Sequence, residues 1–215
     1  MRKMKTTAVL LAGLLAAPLM SWAADVNETL TRLQSRWAEV NYQLPEKQRE
    51  AAFAELAAQA ETEVRNNPAA ELLIWRGIIL STYAGAKGGL GALDLVKASK
   101  ASLEKALAKN DQALDGSAYT SLGALYYQVP GWPVGFGDDD KAQAMLSKAL
   151  TLNPDGIDPN YFYGDFLYRQ ERYADARVAL LKAQAAKPRP GREVADRGRQ
   201  AEIQALLDKV AAELK

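Results

Sequence analysis

Histidine and cysteine are both missing from the 215 residues. Without them the chain can build no Ser-His-Asp relay, no thiolate nucleophile and no imidazole general base. Zinc sites assembled from those side chains are excluded, and so is a lipid-modified cysteine at a signal cut. Carboxylates, lysine, tyrosine and serine remain, and no nucleophile signature frames any of them. The expectation is a protein that is not an enzyme and carries no cofactor. An excess of one charge is lacking too, since 27 Lys and Arg stand against 26 Asp and Glu. That balance offers no basic face to a nucleic acid and no polybasic stretch to a membrane surface. Past the N-terminus no run is apolar and long enough to span a bilayer, so no direct membrane insertion is expected. Strand-period alternation is absent as well, and β-branched residues are sparse. The chain reads as all-α.

The first residues read as a secretory signal. Arg2, Lys3 and Lys5 form a basic start, Ala8 to Ala17 an apolar stretch, and Pro18 is expected to break any helix. Ser21-Trp22-Ala23 then presents small residues before a cut ahead of Ala24. An uncleaved anchor is the alternative. Removal of residues 1–23 takes three basic residues and leaves a net charge of about −2. The mature form is expected in the periplasm, freely soluble, without reliance on disulfides.

A glycine in one helix and an alanine in the next recur along the chain as Gly77 with Ala106, Gly123 with Ala149 and Gly164 with Ala183. Between two helices that cross closely, only small residues fit at the crossing. In the last unit Gly164, Leu167, Tyr173, Ala176, Leu180, Ala183 and Pro188 fall without gaps on the tetratricopeptide pattern of paired helices. The first two units keep the frame with longer loops. The pattern predicts helix pairs at about 69–83 with 93–109, 115–128 with 139–152, and 158–170 with 173–187. Ahead of them, Asp25 or Asn27 should cap a first helix running to Asn41, with Leu30, Leu33, Trp37 and Val40 on one face. Pro45 should open a second helix that Asn66-Asn67-Pro68 closes. The organisation expected is a signal peptide at 1–23, a degenerate first pair or cap at 24–68, three repeats at 69–191 and a capping helix at 192–215.

Two loops exceed the short turns that usually join repeat helices. Residues 84–91 hold four glycines, and residues 129–137 hold Trp132 and Phe136. Both are expected to be non-helical. The glycines at 85, 88, 89 and 91 lack the strand and the Gly-Lys-Ser/Thr ending of a phosphate loop. Asp138, Asp139 and Asp140 precede a helix, where aspartate caps free N–H groups; calcium is the competing reading.

The concave face of such a stack is lined by the first helix of each pair. Positions offset by three and four give Ile74 and Ile78, then Thr120, Ala124 and Tyr127, then Tyr161, Asp165 and Tyr168. An apolar, aromatic face with one acid suits a hydrophobic ligand, or else these residues pack against the inserted loops or another subunit. Arg192, Asp196 and Arg199 share a helix face by their spacing, so Asp196 should pair with either arginine. A ligand carboxylate could dock on that pair, or the end helix could be salt-bridged to the preceding repeat.

Residues 116–127, 129–138, 158–167 and 189–199 together resemble a bacterial tetratricopeptide family, the T component of tripartite ATP-independent periplasmic (TRAP) transporters. The stretch Pro130-Gly-Trp-Pro133 to Gly135-Phe-Gly-Asp138 is the most specific part, and the resemblance spans about residues 70 to 207. It implies a periplasmic, non-enzymatic homo-oligomer, expected as a trimer, whose partner is the transporter's substrate-binding protein. It further implies a passage open to a hydrophobic or organic-acid ligand, with Tyr126, Trp132, Phe136, Asp138, Tyr161, Tyr163 and Asp165 carried over to its lining. Members tethered by lipid have cysteine at the cut, where this chain has Ala24. The competing reading is a general periplasmic scaffold or chaperone-like protein of envelope assembly.

Overall fold

The computed structural model describes residues 17–215, with side chains from Asp25 onward. The basic and apolar stretches of the expected signal segment lie outside the described residues, apart from Ala17 itself. Among those described, the chain forms helices and no strand: α1 (Ala17–Tyr42), α2 (Glu46–Asn66), α3 (Ala70–Lys87), α4 (Ala92–Lys109), α5 (Ala113–Gln128), α6 (Asp139–Leu152), α7 (Ile157–Arg169), α8 (Tyr173–Gln184) and α9 (Glu193–Glu213).

Three boundaries differ from those the sequence suggests. Helix α1 passes unbroken through Asp25 and Asn27, so neither is a cap. Pro18 falls within α1, where the sequence suggests a break. Helix α3 continues through Ala84-Gly85-Ala86-Lys87, and the chain turns only at Gly88 and Gly89, with φ of 64° and 60°. A single glycine costs a helix about 1 kcal/mol, too little to end one flanked by alanines. Helix α5 starts with a left-handed turn at Leu114, Asp115 and Gly116, and regular helix follows it. Ser117 Oγ closes that turn by donating to the Leu114 carbonyl at 2.6 Å.

The small-residue frame decides how each pair crosses. A Cβ at Gly77 would lie 2.6 Å from Leu103 Cγ, one at Gly123 2.6 Å from Leu146 Cγ, and one at Gly164 2.7 Å from Leu180 Cγ. Each glycine thus receives the leucine that stands three residues before the frame alanine. Ala106, Ala149 and Ala183 are fully buried beside them. In the first pair the close approach also exposes carbonyls of α3 to two buried serines, Ser99 donating to Gly77 at 2.7 Å and Ser102 to Leu73 at 2.9 Å. Gly123→Val would drive two more methyl groups into Leu146. We expect it to lower unfolding free energy by about 3 kcal/mol in urea titration, since overpacking a dense crossing typically costs this much.

Helices α1, α3, α5, α7 and α9 form an inner layer in which each packs on the next. Helices α2, α4, α6 and α8 lie between them on the outside. Helix α9 does more than cover α7 and α8, because it also packs on α1 and closes the inner layer into a ring. At that seam Gly198 lies against Tyr42 so closely that a Cβ would clash with the phenol ring.

Candidate functional site

Closure of the inner layer frames a partly open cavity of 1140 Å³ bordered by α1, α3, α5, α7 and α9, by residues of α2 and α8, and by the loops before α7 and α9. At its aromatic wall, Trp37 of α1 and Trp75 of α3 meet edge to face at 5.8 Å, and Tyr42 meets Trp37 at 5.7 Å. Trp37 Nε1 donates to Thr82 Oγ1 at 3.0 Å, which fixes the indole against α3. Opposite stands Phe162 of α7, and the left-handed turn of α5 brings Leu114 and Asp115 to the same space. Non-glycine residues in that conformation carry strain of roughly 1–3 kcal/mol each, a feature that clusters at functional sites.

The polar end of the cavity is built by the loop before α9. Gly191, with φ of 74°, lets the chain turn back so that Arg189 lies over the first turn of α9. Its guanidinium meets Asp158 at 2.6 Å and Asp196 at 2.6 Å. Arg199 reaches the other oxygen of Asp158 at 2.9 Å, and pairs with Glu202. It also lies over the rings of Tyr161 and Phe162, at 4.3 and 4.8 Å. Burial opposes the charge on Asp158, yet Arg199 and Arg189 outweigh it and bring its carboxyl down to about 2. The same burial pushes the Tyr161 hydroxyl up to about 12, with Arg199 opposing. Asn160 holds the approach to α7 by donating to the carbonyls of Pro154 and Gly156 at 2.9 and 2.8 Å. Asp196 therefore pairs with Arg189, not with Arg192 or Arg199 as its helical spacing suggests. A loop folded over a helix start outcompetes neighbours along the helix.

Arg192 is different. Its guanidinium stacks over Trp75 at 4.9 Å, and its Nε is buried with no hydrogen-bond partner. Burial, then the nearby charge of Arg189, lowers its pKa from the ordinary arginine value.

Of the residues the sequence singles out, Ile78, Arg192 and Arg199 line the cavity, together with Thr120 and Ala124 of the inferred groove. Ile74 is fully buried in the core instead. Tyr127, Tyr161, Asp165 and Tyr168 lie outside the lining. At about 100° per residue, Tyr127 and Tyr168 are each about 40° from their own helix's glycine, while the cavity-facing Ser121 and Phe162 are about 160° away. The lining centres on residues turned away from the glycine face, with Ile78, Thr120 and Ala124 on its flank, and the offset of three and four does not capture that centre. Tyr127 donates to Asp165 at 2.7 Å, and Arg169 meets the same carboxylate at 3.3 Å. Tyr163 stacks near Phe166 at 6.5 Å, and Tyr168 meets Tyr173 at 5.6 Å.

The 129–138 loop folds back on its own base. Asp138 N–H donates to the Tyr126 carbonyl at 2.8 Å, and Tyr126 and Phe136 meet edge to face at 5.9 Å beneath it. Asp138 caps α6 by accepting from Lys141 N–H at 3.0 Å. Trp132 stands at the tip, 90% exposed, with Val134 and Leu90 also exposed. Between the two inserted loops lies an apolar groove of 340 Å³, bordered by Leu90, Leu93, Val96, Val129, Pro130 and Val134. Sequence reasoning missed Trp37, Trp75, Asp158 and Phe162. Trp37 was legible as an apolar-face residue, but nothing local says that α1 joins the ring.

No curated protein matches the chain. The family model described as Tetratricopeptide repeat matches residues 135–210, from the end of the Trp132 loop through α6, α7 and α8 into α9. This segment therefore carries a tetratricopeptide-type repeat, a unit that generally mediates protein–protein interaction.

Proposed function

We propose that this chain is a secreted, periplasmic accessory protein of a TRAP-type transport system, binding the system's substrate-binding protein and holding a ligand inside its helical ring. The observation that carries the reading is the closed ring itself. The inner helices surround a cavity with aromatic walls and a charged end, which gives a ligand a place to lie. A cavity of this size accommodates a hydrophobic or organic-acid molecule. The partner would dock at the outer edge where Trp132, Val134 and Leu90 project, because exposed large apolar side chains mark association surfaces. A homo-oligomer, expected as a trimer, would use part of the same edge.

Residues 24–215, used as bait in periplasmic extract, should retrieve a substrate-binding protein, and Trp132→Ala should reduce the yield at least tenfold. Measured alongside, the bait's solution mass should be a multiple of the monomer's. Retrieval of envelope-assembly factors alone, by a monomeric bait, would replace this reading with a general scaffold.

A further inference from the structure

The three arginines at the polar end of the cavity share their carboxylates unequally. Arg189 and Arg199 divide both oxygens of Asp158, and each has a second acid in Asp196 or Glu202. Arg192 receives none of these. Its Nε is buried and unpartnered, its planar group rests on Trp75, and it borders the cavity. A buried guanidinium nitrogen without a hydrogen bond loses its hydration with nothing in return, so it is retained at a cost unless something else accepts from it. Arg49 also borders the cavity and meets no carboxylate among the described residues, its Nε donating to the Leu44 carbonyl at 3.0 Å.

We propose that Arg192 is the anchor of a carboxylate-binding site inside the ring, taking a monoanionic acid whose apolar body lies along Trp37, Trp75 and Phe162. This rests on the reading that the cavity holds a ligand, and it names that ligand's class. The fork of guanidinium donors matches the two oxygens of a carboxylate, and stacking on Trp75 holds its plane in place before the ligand arrives. Phosphate would fit the fork as well, but not the surroundings. Glu46, Asp115, Asp155, Asp158 and Glu202 border the same cavity and offset the charges of Arg49, Lys182, Lys187, Arg189 and Arg199, so the charge of Arg192 is left for one negative charge and a second would go unbalanced. The carboxylate could belong to a free small acid or to a peptide C-terminus, since both present the same planar anion on an apolar body.

Titration calorimetry on residues 24–215 with 4-phenylbutyrate, its neutral amide, and a tetrapeptide ending in phenylalanine, free or amidated, tests this. At least one free acid should bind, at least tenfold more tightly than its amide. R192Q should abolish that preference, R192K should restore part of it, and the melting temperature of R192Q should fall little, because the stacking on Trp75 is the one protein contact described for the guanidinium and no salt bridge is lost. Binding of the small acid alone assigns the site to free acids; binding of the peptide alone assigns it to chain termini. Equal binding of acid and amide, no binding of any probe, or an unchanged preference in R192Q overturns the site. Partner capture by R192Q separates the two readings: it should persist, and its absence in the wild type would count against the accessory role while leaving a measured acid site intact.

Discussion

Asp158→Asn should destabilise the protein by about 3 kcal/mol or more at neutral pH, read as a shift in the urea midpoint at constant slope. Among the described residues Asp158 is the one acid joined to both Arg189 and Arg199, so it ties α7 to the loop before α9 and to α9 itself. Asparagine keeps an acceptor but removes the charge that holds two partly buried guanidinium groups side by side, and Arg192 stands beside them. Removing one partner of a buried pair leaves the other uncompensated, which is the expensive way to break it. The pH dependence follows with a definite sign. The carboxyl titrates at about 2 in the folded chain, below the ordinary aspartate value of about 3.9 expected when unfolded. Its contribution is therefore fully present above about pH 4 and is lost as the pH falls through about 2. The gap in stability between wild type and Asp158→Asn should accordingly be widest above pH 4 and close toward pH 2. A gap that stays constant across that window would mean that the arginines do not act through this charge.

The parts of the fold that were legible are those set by neighbours in sequence. Gly77, Gly123 and Gly164 with their alanines mark the crossings, and at each one the structure places a leucine over the glycine. Pro45 and Asn66-Asn67-Pro68 bound α2 for the same local reasons. What the sequence hides is what depends on distant contacts. The extension of α3 past Gly85 is a balance of about 1 kcal/mol that neighbouring alanines tip. The left-handed turn before Ser117 has Leu114 and Asp115 in a conformation no propensity scale favours. For the cavity, Ile78, Thr120, Ala124, Arg192 and Arg199 stand out by spacing. Trp75 and Phe162 do not, because their face is fixed by how far each helix rotates around the ring. Asp158 stands in the sequence only as the start of an expected helix until Arg189 and Arg199, 31 and 41 positions away, are brought to it. The aromatic residues of the Trp132 loop and its base are divided between buried Tyr126, half-buried Phe136 and the exposed tip.

Gly198→Val should open the ring. In an ordinary repeat array the first and last helices never meet, and each unit depends only on its neighbours. Here Tyr42, the last residue of α1, lies on Gly198, and its hydroxyl reaches Glu202 at 3.4 Å. The neighbouring Trp37 blocks one way out for the phenol, since it meets Tyr42 edge to face at 5.7 Å. A β-carbon at 198 has no room, and the two methyl groups of valine have less. Helical propensity works in the other direction, since losing a glycine from a helix interior gains up to about 1 kcal/mol. Overpacking at this seam costs about 3 kcal/mol, so the net effect is destabilising. The consequence is local, which distinguishes it from the loss at Asp158. Hydrogen exchange should quicken in α1 and in the middle of α9, while the crossings at Gly77, Gly123 and Gly164 keep their protection. Any acid held by Arg192 should bind more weakly, because Trp37 is displaced along with Tyr42. If α1 keeps its protection in this variant, the seam contributes little, and the cavity is formed by the remaining inner helices without closure.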